Sequence, residues 1–464
     1  MEASGVAGGA LLIFVLLLLD CREHSKIIIE GCDAAQNKER REKMLALTGG
    51  RLIDGLGGAI IDDSVVLIEK NLIKQIGLKH QVDLPAECEI IDITSKTIMP
   101  GMIDTHVHLV SGPEEQTVWK WGIFPPLLEN SLPLIGLKAY ARAKETLEMG
   151  FTSLRDTGDI GYTSVALRDA INAAIVDGPR IQASGPYLNT TAGHGNAMPP
   201  WLIRTDLLYP VADGVDGVLK AVRQSIKMNT DWIKFTATGG GTTNTWDKQQ
   251  FNEDEMRALI NEAHDKSKAV AGHCVWAKGT LTAVKLGIDT VEHGCDLTEE
   301  IVDLMKEKGT YLVPTLYVLV EISRRGEKFG FSHQQVEAAR STAERHKSSY
   351  QLALEAGVKI AMGTDVGYGP CIHGTNAREL EFMVEYGMTT MQALMAATST
   401  AASLMRIDNK VGTIEEGKLA DIVVVDGDPL NDIRILQEKE RIALVIKDGK
   451  ICVNRIGNPK PSLH

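Results

Sequence analysis

Between Met102 and Asp365 the chain repeats one pattern, a short apolar run of strand character followed by a stretch with helical spacing. The runs end at His108, at Asp156 (from Phe151), at Gly185 (from Arg180), at Thr238 (from Trp232), at Cys274 (from Val270), at His293 (from Thr290), at Thr315 (from Tyr311) and at Asp365 (from Lys359). Eight strands alternating with helices are what a (β/α)8 TIM barrel requires. Two of the intervening helices read as Asp254 to Lys266 and Gln334 to Ala356, the first with Asn252 and Glu255 spaced as a capping box.

The flanks read differently. Ala46–Ile53, Ser64–Glu69, Leu72–Gly77 and Glu89–Asp92 before the repeat, and Ile422–Asp426, Ile442–Lys447 and Lys450–Asn454 after it, are short β runs separated by turn residues. The first group is too small to close by itself, so the expectation is a small β-sandwich domain built from both chain ends, 44–98 with 411–455, around a barrel over 99–410. Residues 456–464 read as a tail, and 1–43 as an extension or a weak signal segment. The apolar run Ala7–Leu19 is too short to span a bilayer comfortably, and it is preceded by Glu2 rather than by Lys or Arg. No stable membrane insertion is expected. A cytoplasmic location is expected, with export through residues 1–43 as the alternative. The seven cysteines form no Cys-x-x-Cys pair, which favours free thiols, and a net charge of −12 argues against nucleic acid as a partner.

The polar residues at the strand ends carry the chemistry. His106 and His108, two apart on one strand, share a face and would project into the barrel's C-terminal mouth, where His273, His293 and Asp365 also end their strands. Four histidines with a lysine and an aspartate do not resemble a closed, thiolate-rich structural zinc site. Lys234 lies between Ile233 and Phe235, where a charged ammonium is costly unless its pKa falls or it finds a partner. A neutral amine there can take up carbon dioxide as a carbamate, whose two oxygens can bridge two metals. Asp365 can both bind a metal and accept a proton. Taken singly, each has an ordinary alternative: a polar edge strand for His106 and His108, a solvent-reaching or acid-paired head for Lys234. Glu292 reads as pointing away from the cavity, being on the alternate pleat from His293. His264, His333, His346 and His373 read as ordinary, with His373 near enough to Asp365 to line the mouth.

The stretch Pro100-Gly-Met-Ile-Asp-Thr-His-Val-His108, with Lys234, His273, His293, Gly363-Thr364-Asp365 and the return motif from Gly412 to Asp421, resembles the amidohydrolase superfamily in order and spacing from Met44 to Asn454. Within it, Thr191-Ala-Gly-His-Gly195 and Val313-Pro-Thr315 resemble the imidazolonepropionase-related prolidases and Xaa-Arg carboxypeptidases, a group that includes ochratoxin amidase. The resemblance implies two divalent ions, zinc by the family's habit: one on His106, His108 and Asp365, the other on His273 and His293. N6-carboxylysine at Lys234 and a hydroxide would bridge them, the hydroxide would attack an amide carbonyl, and Asp365 would relay its proton to the leaving nitrogen. It also implies that His194 helps hold a substrate carboxylate. Trp276 stands where these prolidases carry a tyrosine; an indole N–H can donate one hydrogen bond and accept none. Tyr317, Arg155 and Arg204 are further candidate carboxylate contacts, and homo-oligomerisation is expected from the resemblance alone. The expected reaction is hydrolysis of an amide bond in an Xaa-Pro or other dipeptide, or an N-acyl amino acid. Cyclic-amide hydrolysis of the imidazolonepropionase type is the rival, and a non-catalytic barrel scaffold is the rival of another class. Substrate choice is assigned to the loops Ser111–Leu134 and Gly185–Tyr209.

Overall fold

The computed structural model describes residues 44–112, 130–195, 210–240 and 249–457. Residues 1–43, Arg204, the tail beyond 457 and much of both substrate loops lie outside the described residues.

The first strands are β1 (Met44–Leu52), β2 (Ile61–Glu69), β3 (Leu72–Leu78), β4 (Glu89–Asp92) and β5 (Thr97–Pro100). The central strands are β6 (Met102–Val107), β7 (Phe151–Asp156), β8 (Arg180–Ala183), β9 (Trp232–Thr236), β10 (Ala269–Cys274), β11 (Thr290–His293) and β12 (Tyr311–Val313). The last are β13 (Ile422–Val425), β14 (Ile442–Lys447) and β15 (Lys450–Asn454).

Both chain ends meet in one sheet ordered β15-β14-β13-β5-β1-β2-β3, with β4 against β1. The joint is β5 with β13, antiparallel from Pro100↔Ile422 to Thr97↔Val425. Strand alternation explains how the sheet attaches to the rest of the molecule. Ile422 and Val424 join Leu47, Val66, Ile68, Ile98, Leu444 and Ile446 in the sheet's own core. Their neighbours Val423 and Val425 point the other way, into the large core shared with Met99, Met102 and Phe151. Gly101 then turns β5 directly into β6; a β-carbon there would sit 2.2 Å from Thr152 Oγ1, so only glycine allows the approach.

The central strands run parallel, β6-β7-β8 in one ladder and β9-β10-β11-β12 in another. The third strand is shorter than its sequence suggests. Gly185 at φ +68 breaks the pleat, and the chain re-pairs only at Leu188, whose N–H donates to Lys234 O at 2.8 Å and whose carbonyl accepts from Thr236 N at 3.1 Å. The eighth run is not a regular strand either. Residues 359–366 instead bond alternately to both neighbours: Ala361 N to Leu312 O at 3.0 Å on one side, Asp365 N to His106 O at 2.8 Å on the other. Helices fill the crossovers. Asn252 and Glu255 form the expected capping box on the helix Glu253–Asp265, and Ser332 with Gln335 makes another on His333–Ala356, which Gly357 ends at φ +77. The result is a TIM-barrel-like α/β fold. Among the described residues no helix is long and apolar enough to cross a membrane, and Cys88, Cys274, Cys295, Cys371 and Cys452 are free thiols. Cys21 and Cys32 lie outside the described residues.

Candidate metal centre

All six residues singled out for metal binding lie at or near the C-terminal ends of the parallel strands. His106 is on β6 with His108 just beyond it, Lys234 on β9, His273 on β10, His293 at the end of β11 and Asp365 after the irregular eighth run. His293, Thr315 and Asp365 end three successive segments in left-handed backbone, at φ +72, +52 and +61. Such conformations are costly for residues with a β-carbon and collect where a site needs a side chain re-aimed.

One half of the cluster is fully tied down. Asp365 Oδ1 lies 3.0 Å from His108 Nε2 and 3.6 Å from His106 Nε2, and the three side chains offer ligand atoms within 4.8 Å of one another. His108 Nδ1 donates to Gly158 O at 2.8 Å, and His106 Nδ1 meets Glu292 Oε2 at 2.7 Å. Below them Asp104, fully buried, accepts from His106 N (3.1 Å), Thr364 N (3.2 Å), Thr364 Oγ1 (2.6 Å) and Asn376 Nδ2 (2.7 Å), pinning β6 to the eighth run. Burial raises Asp104 to about 6 despite those bonds. Burial opposes ionisation of Asp365 too, but the hydrogen bond and charge of His108 hold it below the usual carboxylate range.

The other half is not. Lys234 is 4% exposed, and its Nζ has no hydrogen-bond partner among the described residues. His273 Nε2 and His194 Nδ1 are likewise buried without one. His293 Nδ1 meets Thr315 Oγ1 at 2.7 Å, while its Nε2 faces His273 Nδ1 at 2.9 Å. The ring of His194 stacks on that of His273, centroids 4.2 Å apart, in a space kept open by Gly240, where a β-carbon would lie 2.3 Å from His194 Cε1. Burial, with Arg155 adding, lowers Lys234 to about 8 against the pull of Glu292. Burial lowers His106 and His194 to about 4, and His273 and His293 well below their ordinary value. The cluster therefore gathers imidazoles that, His108 apart, burial keeps neutral, together with a carboxylate and an amine whose charge burial disfavours. That donor set fits divalent cations, and in a buried site its unmet atoms are otherwise expensive.

Glu292 is a correction. It does not point away from the cavity: it is fully buried, bonded to His106, and its other oxygen accepts from Arg155 Nη2 at 2.7 Å. The left-handed φ of His293 takes that residue out of the pleat alternation, so neighbours 292 and 293 both face inward. His346 is buried behind His293, its Nε2 2.9 Å from His293 O, and His373 Nε2 lies 3.2 Å from His108 O. His264 and His333 instead pair with surface acids. Among the residues assigned to substrate, Trp276 is buried at the head of the helix Ala277–Lys285, with the guanidinium of Arg345 4.6 Å over its ring. Tyr317 is buried with its hydroxyl 2.9 Å from Thr375 Oγ1, and Arg155 is wholly interior. Sequence reading did not single out Asp104, although it shares a strand face with His106 and His108; that spacing was its only signal.

The amidohydrolase family model matches residues 97–452. Ochratoxinase from Aspergillus niger is 30% identical over 434 residues, covering 88% of this chain and 86% of the relative. Imidazolonepropionase from Fusobacterium nucleatum is 24% identical over 392 residues, covering 79% and 86%. A crystal structure of an Xaa-Pro dipeptidase with methionine bound in its active site superposes with a TM-score of 0.78 at 35% identity, covering 88% of this chain and 99% of that one.

Proposed function

The chain belongs to the amidohydrolase family, and from that premise we propose a zinc-dependent hydrolase that cleaves the amide bond of a dipeptide or N-acyl amino acid. The observation that carries this reading is Lys234: a buried amine with no hydrogen-bond partner among the described residues, beside buried imidazoles and a carboxylate. His106, His108 and Asp365 would hold one ion, His273 and His293 the other, with N6-carboxylysine at Lys234 between them. When bound, the ions would polarise the scissile carbonyl as Lewis acids and acidify a water. The chain's own residues then handle protons and substrate. Asp365, steadied by His108, accepts the proton of the attacking water and passes it to the leaving nitrogen, which would otherwise depart as an unstable amide anion. His194, neutral and stacked on His273, is the candidate to hold the carboxylate of the departing amino acid, with the Trp276 indole N–H and the Tyr317 hydroxyl as further contacts. The relatives named as an Xaa-Pro dipeptidase and an ochratoxinase support a substrate of this kind.

The same reading takes the parallel ladders and residues 359–366 as a closed (β/α)8 barrel over 99–410, and the composite sheet as a β-sandwich domain over 44–98 and 411–455. It takes the protein to be a cytoplasmic homo-oligomer, with export through residues 1–43 as the competing account. A panel of Xaa-Pro, Xaa-Arg and N-acyl amino acids, followed by release of free amine, tests the substrate class. Turnover of a cyclic amide alone would move the assignment to the imidazolonepropionase type. Protein that retains close to no metal after gentle purification, and none after zinc is added, would favour the scaffold.

A further inference from the structure

Beneath His106 lies a set of buried polar groups to which the hydrolytic reading gives no task. Thr290 and Glu292 are two apart on β11 and both face inward; Arg155 comes from β7, and all three are 0% exposed. Glu292 Oε1 accepts from Arg155 Nη2 at 2.7 Å and from the Thr290 hydroxyl. Arg155 is itself fixed, with Nε donating to Thr105 O at 2.5 Å, Nη1 to Thr290 Oγ1 at 3.3 Å, and its plane 4.5 Å over the Trp232 ring. A guanidinium only donates and does not give up its proton. Glu292 is thereby a charge-balanced carboxylate, and its remaining oxygen, Oε2, can only accept. The atom 2.7 Å away is His106 Nδ1. That nitrogen must carry the hydrogen, which leaves the Nε2 lone pair facing Asp365.

We propose that Glu292, clamped by Arg155 and Thr290, is a positioning residue that fixes His106 as its Nδ1–H tautomer and so makes Nε2 a metal ligand before any metal arrives. This rests on the reading of His106 as a ligand. A second partner on a ligating imidazole sets both its tautomer and its ring orientation. The arrangement also predicts what the isostere does. In Glu292→Gln the single carbonyl oxygen stays with Arg155, the stronger donor, and the amide N–H faces His106 Nδ1. Nδ1 must then accept, the hydrogen moves to Nε2, and the lone pair facing Asp365 is lost with no change in side-chain volume.

The test uses the full chain, made metal-free by chelation, with 15N-labelled histidine and the His106 signals assigned through His106→Asn. Long-range nitrogen–proton correlation should show Nδ1–H in the wild type and Nε2–H in Glu292→Gln. Zinc titration against a chromophoric chelator should show one of two sites weakened about 10–100-fold in the variant. A metal-free wild type with His106 as Nε2–H overturns the proposal, and that measurement needs no variant to fold. A Glu292→Gln protein that binds zinc as tightly as the wild type overturns it too. A wild type that binds no zinc at all sinks the metal reading itself, a different and separately visible failure.

Discussion

The two halves of the candidate centre are built on opposite plans. Around His106, His108 and Asp365 both Nδ1 atoms have a protein partner and His108 Nε2 meets the carboxylate at 3.0 Å, with Glu292, Arg155, Asp104, Thr364 and Asn376 behind them. Around Lys234, His273 and His194 the polar atoms are equally buried, but three of them have no hydrogen-bond partner among the described residues. The first half is held by the protein alone. The second carries a penalty of about 1–3 kcal/mol for each unmet buried polar atom, which a bound group would relieve. Preorganisation on one side and unmet donors and acceptors on the other are what the proposed two-ion site would need, a fixed frame beside a half that a bound group completes.

The contrast can be broken in several ways, beginning with the largest effect. Asp365→Asn, which keeps shape and removes the proton acceptor, should lower kcat about 10²–10⁴-fold in steady-state assays; an unchanged kcat would assign the proton to another group. Lys234→Met tests the dependent half without metal. With Lys234 depressed to about 8 from 10.5, the unfolded chain binds one more proton than the folded one between those values, so wild-type stability rises with pH across that window. At pH 7 the metal-free variant should therefore be more stable than the wild type by about 3 kcal/mol, and the advantage should shrink as pH climbs from 8 to 10.5. Urea midpoints at several pH values decide this, and a constant difference would mean the amine is not desolvated. The two halves should then differ in metal-free protein: His106→Ala should cost about 1–3 kcal/mol by stranding Glu292 Oε2, while His273→Ala, which strands His293 Nε2 but also removes an unmet Nε2, should cost less. Equal losses would erase the distinction between them. The smallest effect is expected at His194. His194→Asn should raise KM about three- to tenfold, one hydrogen bond's worth, with zinc content unchanged on elemental analysis.

What was legible in the sequence follows from what is local. The capping box at Asn252, the period-two spacing of His106 with His108 and the apolar runs all depend on neighbours a few residues away; the box, the spacing and all the runs but the third and eighth appear much as expected. The joining of both flanks in one sheet was also readable, because the first group of strands is too small to close by itself. What failed depends on single dihedral angles or on distant partners. That His293 faces inward beside Glu292 hinges on the left-handed φ of His293, and the truncated third strand on φ at Gly185. The eighth run looked like a strand by composition, yet its backbone bonds are shared between two neighbours in an irregular pattern. The Asp104 hub joins Thr364 and Asn376, residues that nothing in the local sequence ties to it.

The seam between β5 and β13 has a consequence for biosynthesis. While the ribosome is still making β6 to β12, β5 has β1 on one side and a bare edge on the other, because Ile422–Val425 follows all of those strands in the sequence. Open strand edges and late, distant pairings are slow to resolve and invite association between nascent chains. A newly made molecule therefore waits, half-zipped, for β13, and chaperone demand should be highest in that interval. Any premature stop before β13 leaves the polypeptide without the strand that fastens its beginning to its end.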